Sequence, residues 1–210
     1  MYLPTEFGET DEGRLRQWIR QWPFATLVSG DVDNVVVTHL PLVLDVSAGA
    51  PGIIVGHMAR ANDHHLSFDG TRAAIAIFHG PHAYVSPTWY APGPSLPTWI
   101  YAAVHVHGRP RIVADPEESR QRLDALIAQF ESSWNLSLVP ASYLDGKMGG
   151  IVTFDIPVDR IVGKSKLGQR QSPEDRKRVQ DALLATPDTA CHDLAAMIDA
   201  TAPARARTTG

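Results

Sequence analysis

The chain has 210 residues, 44% hydrophobic and 20% charged, enough for one sizeable core, and it carries a formal net charge of −4. That charge excludes general electrostatic attraction to nucleic acid or anionic lipid, and no apolar run approaches the roughly 20 residues of a membrane span. The one cysteine, Cys191, can form no internal disulfide, and the N-terminus has no basic-then-apolar leader, so the expectation is a cytoplasmic protein.

The first predicted element is a helix from Asp11 to Trp22, capped by Thr10, with Leu15, Trp18, Ile19 and Trp22 on one face. Pro23 stops it. FATLVS (24–29) and VVVTHLPLVLD (35–45) then read as a hairpin across GDVDN. IIVGHM (53–58) is a strand, followed by a short helical or irregular stretch over 60–69. AAIAIFHG (73–80) and HAYVSP (82–87) are strands separated by Pro81. A proline- and glycine-rich loop leads to a long strand over 98–113.

Asp115 before Pro116 starts a helix that presents Leu123, Leu126, Ile127 and Phe130 on one face. Residues 149–163 read as a strand pair. Ser172, Pro173 and Asp175 open another helix, and a last one runs from Asp188 to Ala200. Closely spaced strands with peripheral helices predict an α+β fold built on a closed antiparallel barrel. The expected domains are a cofactor-binding barrel over 1–170, a C-terminal helical appendix over 171–200 and a disordered tail over 201–210.

Eight of the nine histidines lie between His39 and His107, and they are the main chemical lead. His105 and His107 share one strand face, but zinc would need further ligands at defined spacing. GHMARANDHH (56–65) offers more. Gly56 admits close approach to the backbone, Arg60 and Asn62 are planar donors suited to an anion, and only one of His64 and His65 can face a shared pocket from a helical turn. No nucleophile motif, P-loop or GxGxxG occurs. The last two helices have helix-turn-helix proportions, but the acidic ACHDLAAMIDA would be repelled by phosphate and reads as a packing or dimer surface.

The ordered blocks PFATLVS, THLPLVLD, GHMARAN, FHGPHAYVSPTWY, LPTWIYAAVHVHG and GKSKLGQ resemble the PaiB-like proteins, from Tyr2 to about Leu183. That resemblance implies a pyridoxamine-phosphate-oxidase-like antiparallel split β-barrel. It further implies a homodimer with FMN in a cleft between subunits. By position it puts Thr38, His39, His57, Met58, Arg60 and Asn62 around the cofactor, completed by Ser86, Trp99, Lys166 and Gln169.

Three blocks depart from the family pattern. PTWIY stands for the common PTWNY, KLGQR for KLSQN, and RANDHH for RANPQW, so Ile100, Gly168 and Arg170 replace polar groups and an imidazole, His64, appears after RAN. In the last respect the chain is similar to piperazate synthases, a branch that binds haem b and closes an N–N bond in N5-hydroxy-L-ornithine with loss of water. The leading expectation is therefore a haem-dependent enzyme of that kind acting on a small molecule, with His64 as axial iron ligand and His65 a bystander. The alternative is an FMN-binding PaiB-like protein, either a flavin-dependent oxidoreductase or a flavin-sensing negative transcriptional regulator. Tyr84, His39 and Lys166 all qualify by type as general base, and spacing chooses none of them.

Overall fold

The computed structural model describes residues 1–31, 33–47 and 49–200, so the tail over 201–210 lies outside the described residues. The chain forms two compact units, one of residues 11–79 and 104–162, the other of residues 1–10, 80–103 and 163 onward. The expected boundary at residue 170 falls inside the second unit.

In the first unit α1 (Glu12–Gln21) is capped by Asp11, whose carboxylate accepts from Arg14 N at 2.9 Å, one residue later than expected. A carboxylate in that position also meets the positive end of the helix dipole. The helix buries Leu15, Trp18 and Ile19 of the four expected apolar positions, while Trp22 is its C-cap and only half-buried.

β2 (Phe24–Asp31) and β3 (Asn34–Pro41) form the expected antiparallel hairpin, in register from Phe24 opposite Pro41 to Asp31 opposite Asn34. Alternation turns Ala25, Leu27 and Ser29 inward and leaves Phe24, Val35 and Val37 exposed. The expected continuation to residue 45 breaks at Leu42, whose N–H turns to Pro23 O at 2.8 Å. β4 (Val43–Asp45) then pairs with β5 (Ile53–Ala59) instead.

β6 (Ala74–Val85) is one strand where two were expected. Its ladder with β2 spans Ala74–Phe78, so Pro81 lies beyond it and its missing N–H costs no bond there. β7 (Thr98–Gly108) stops before Pro110, and β8 (Arg111–Ile112) pairs with β9. β9 (Ile151–Lys166) replaces the expected strand pair with one 16-residue strand. β5 pairs with its first half as far as Pro157, and β1 (Gly8–Glu9) with its end. The sheet order is β3-β2-β6-β7-β9-β5-β4, with β1 and β8 also on β9. β2 pairs antiparallel with β3 and β6, β5 with β4 and β9, and β9 with β1 and β8, which is the α+β, antiparallel architecture expected.

α2 (Pro116–Ala128) begins where expected, with Asp115 accepting from Glu117 N and Glu118 N. It is fastened to the sheet by Arg122, which reaches Asp155 at 3.0 Å and Asp45 at 3.3 Å. Asp155 is 1% exposed, and burial raises its pKa against the opposing pull of Arg122. α3 (Ala141–Met148) was not anticipated; it starts after Pro140 without a side-chain cap and carries two residues of low helix propensity, Ser142 and Gly146.

In the second unit Ser172 caps α4 (Pro173–Leu184), as expected, and α5 (Thr189–Ala200) follows. Val179, Leu183, Leu194 and Ile198 from these helices pack with Val85, Ile100 and Leu167 of the strands. Buried Gln180 ties the two helices by donating to Ala195 O at 3.0 Å. Among the described residues no helix is long and apolar enough to cross a membrane.

Candidate functional site

The stretch after β5 folds as a 3-10 turn over Asp63–Ser67, opened by Asn62, whose Oδ1 accepts from His64 N at 3.0 Å. That geometry drives His64 into the core, 2% exposed, with Phe68 5.2 Å away ring to ring. Its Nε2 lies 2.8 Å from Ser29 Oγ and its Nδ1 2.8 Å from Thr38 Oγ1.

Counting protons assigns the tautomer. Ser67 gives its hydroxyl proton to His64 O at 2.9 Å, so in the 3.3 Å contact between Ser29 and Ser67 the donor is Ser29. Ser29 must then accept from His64 Nε2–H, and His64 Nδ1 accepts the proton of Thr38, whose oxygen accepts from Asn62 Nδ2 at 3.2 Å. A neutral imidazole satisfies every member of this network. Burial lowers the His64 pKa in the same direction. An iron ligand needs a free nitrogen lone pair, and His64 has none to offer. His64 therefore does not fit the axial position expected of it.

His65, expected to be a bystander, has the free nitrogen. Its Nδ1 sits 2.7 Å from Asn62 O and so carries the proton, and among the described residues no partner meets Nε2. An imidazole held by a backbone carbonyl, with the opposite nitrogen open, is the arrangement ligating histidines adopt.

The other expected residues of this segment are spent mostly on structure. Arg60 donates from Nε to Gly149 O at 2.8 Å and from Nη2 to Ile151 O at 2.7 Å, pinning the start of β9 and leaving Nη1. Met58 is buried in the core. Gly56 serves packing: a Cβ there would stand 2.5 Å from Leu42 Cδ2 and 2.8 Å from Phe154 Cζ. His57 points toward α2, away from the Thr38 network, and its Nδ1 is buried without a partner. His39 lies on the outer face of the hairpin, 3.0 Å from Thr26 Oγ1. The structure thus joins Thr38, Asn62 and His64, and does not join His57 or Arg60 to them.

The second unit holds Ser86, Trp99, Lys166 and Gln169. Lys166 and Gln169 line a cavity of about 700 Å³ whose walls include Phe7, Tyr90, Leu96 and Ile100. Lys166 Nζ donates to Thr98 Oγ1 at 2.6 Å, which leaves two of its three N–H groups. Gln169 is committed to its own turn, accepting from Leu167 N at 2.7 Å and donating to Ser165 O at 2.6 Å. Ser86 caps the short turn after β6 through Thr88 N at 3.2 Å. Trp99 is 52% exposed between His82 and Tyr84, with ring centroids 5.6 and 6.4 Å away.

The replaced residues have local reasons. Gly168 has φ +80°, a conformation in which glycine is unstrained. Ile100 is buried in the core beneath α4 and α5. Arg170 bonds Glu6 and lies over the Phe7 ring, 5.2 Å from its centroid, so its charge is already met at the cavity rim.

Thr98, Tyr90 and the Phe7 wall were missed by the sequence reading, because nothing local marks residues far apart in the chain as neighbours. Lys164 was also missed: buried, it donates to Tyr2 O at 3.0 Å and lies over the rings of Tyr2, Phe7 and Tyr101. It fastens the N-terminal segment that forms the cavity wall. Among the described residues no group of three or more His, Cys, Asp or Glu side chains could hold a metal ion, and His107 instead meets Arg160 at 3.3 Å.

Residues 1–160 match the family described as "Putative FMN-binding domain". "Protease synthase and sporulation protein PAI 2" of Bacillus subtilis is 30% identical over 87% of this chain and 89% of its own. Among solved structures, the "FAD and Heme binding protein" of Mycobacterium smegmatis is similar with a TM-score of 0.59 at 15% identity, over 81% of this chain and 78% of that one. A flavocytochrome of Azotobacter vinelandii is similar with a TM-score of 0.59 at 11% identity, over 84% of this chain and 78% of that one. At these identities the two structures show a shared fold.

Proposed function

From the premise that the chain belongs to the FMN-binding, PaiB-like family, we propose that it binds flavin mononucleotide at the Lys166 cavity. The observation that carries this reading is the Lys166 ammonium, set by Thr98 into a cavity of about 700 Å³ with aromatic and aliphatic walls. Such a cavity lies within the range of cofactor sites, and its spare N–H donors suit a phosphate or an anionic ring oxygen. A bound flavin would supply hydride or electron transfer. The chain would hold the anionic end through Lys166 and cover the ring with Tyr90, Leu96 and Ile100.

The working form is a homodimer. Phe24, Val35 and Val37 present an exposed apolar face on the β2–β3 hairpin, the kind of surface a second copy covers. The test is the absorbance spectrum of the purified protein and titration with FMN. Paired flavin bands and quenched FMN fluorescence are expected, with affinity at least ten-fold weaker in Lys166→Met. No binding by the wild type would overturn the proposal. Reduction of the bound flavin by a nicotinamide donor would mark an oxidoreductase; its absence would favour the flavin-sensing regulator.

The open Nε2 of His65 supports a second reading, a haem-dependent enzyme resembling piperazate synthase and acting on a small N-hydroxylated diamine. Its ligand is then His65 rather than His64. A Soret band lost in His65→Ala would support it, and flavin bands with no Soret band would sink it. Haem-loaded protein that fails to dehydrate N5-hydroxyornithine would remove the N–N bond-forming assignment.

A further inference from the structure

Arg170, which stands where the PaiB-like pattern has an amide, lines the same cavity of about 700 Å³ as Lys166. Its Nε donates to Glu6 Oε1 at 2.8 Å and its Nη2 reaches that same oxygen, so both bonds fall on one atom. The guanidinium side chain is 68% exposed and the carboxylate 38%, and ion pairs so open to water contribute little to stability. The N-terminal segment does not depend on this pair. Lys164 holds Tyr2 O on one side of Glu6, and Gly8 pairs with Lys164 in the β1–β9 ladder on the other. Glu6 can therefore release Arg170 without unseating Phe7 from the cavity wall. The carboxyl lies below the ordinary range, held first by its own backbone N–H and then by Arg170, so it keeps a partner after release.

On the footing that FMN occupies this cavity, we propose that Arg170 is its second anion-binding group and Glu6 an internal stand-in for the ligand. The phosphate takes the guanidinium, and the carboxylate is expelled to water. Charge and shape both favour that exchange. A phosphate monoester carries between one and two negative charges near neutral pH and presents oxygens in pairs, matching the fork of guanidinium donors. Glu6 brings a single charge and one oxygen for two donors. Lys166 cannot substitute for Arg170, because an ammonium is a point charge without a fork. A free carboxylate must compete with one already tethered beside the guanidinium, at high effective concentration, and loses. Glu6 thus makes the cavity rim select phosphate esters over carboxylates.

Riboflavin, which lacks only the phosphate, is the control ligand, and quenching of flavin fluorescence by the full chain gives both affinities. Arg170→Gln should weaken FMN about ten-fold and leave riboflavin unchanged. Glu6→Gln should tighten FMN about two- to five-fold, again without moving riboflavin. In the double variant that gain should vanish, because it acts only through Arg170. FMN affinity unmoved by Arg170→Gln, unmoved or lowered by Glu6→Gln, an equal effect on riboflavin, or a gain that survives without Arg170 would each overturn the exchange. If the wild type binds no flavin, the flavin assignment falls, and inorganic phosphate decides the exchange separately. The Arg170 Nε–H resonance, identified by its loss in Arg170→Gln, should then shift at about two- to five-fold lower phosphate in Glu6→Gln than in the wild type. No shift, or equal midpoints, overturns it.

Discussion

His64 Nε2 and Ser29 Oγ, 35 residues apart in sequence, meet at 2.8 Å in the core between the β2 strand and the turn that follows β5. The contact closes a chain of hydroxyls and an amide around one neutral imidazole. It makes His64 a fastening for the segment that carries Arg60, Asn62 and His65.

Replacing that imidazole should therefore cost stability rather than a ligand. His64→Ala removes two buried hydrogen bonds and the packing against Phe68, and leaves the Ser29 hydroxyl without its donor. A loss of about 2–4 kcal/mol is expected. Urea denaturation measures it; an unchanged midpoint would mean the network contributes little.

Stability should also fall in mild acid. Burial lowers the pKa of His57, His64, His105 and His107 from the ordinary 6.5. The unfolded chain takes up protons first, so their stabilising contribution is complete above about pH 6.5. It is lost as pH drops through the depressed folded-state values. Melting temperatures between pH 8 and pH 5 should decline below 6.5, and His64→Asn should flatten the slope. A flat wild-type profile would contradict this.

Arg122 and Asp155 pose a separate test. Arg122→Met leaves the buried Asp155 carboxylate without its nearest cation and should cost about 3–5 kcal/mol. The double variant Arg122→Met with Asp155→Leu should recover part of that loss, since the buried Asp155 charge is gone and Asp45, which also loses Arg122, keeps its hydrogen bond from Ser47 N. Equilibrium unfolding of the three proteins separates the outcomes; a double variant no better than the single one would show that the pair does more than neutralise itself.

Gly56→Ala should destabilise by about 1–3 kcal/mol, because the new Cβ meets Leu42 and Phe154 inside van der Waals distance. Leu42→Ala in that background should restore part of the loss. Were Gly56 instead a cofactor contact, the substitution would weaken ligand binding and spare the apoprotein; thermal melts with and without FMN distinguish the two.

Local signals in the sequence suffice where the physics is local. Asp115–Pro116 and Ser172–Pro173 start helices because a cap and a fixed φ act within one turn, and the β2–β3 alternation survives because one face is buried. The same reasoning split β6, since a proline weighs against a strand until the partner ladder is known to end before it. α3 escaped because its sequence has no cap and low propensity.

Family membership was written in the sequence, in motifs such as GHMARAN and GKSKLGQ. The division of labour between His64 and His65 was not. Adjacent residues leave a 3-10 turn in different directions, and which one enters the core depends on Ser29 and Thr38 waiting there. Likewise the resemblance names Lys166 as a cofactor residue, but only Thr98, 68 positions away, fixes its ammonium in the wall of a cavity. A sequence determines which chemical groups a protein owns; here, which of them keep a free lone pair or a spare proton was decided by partners distant in the chain.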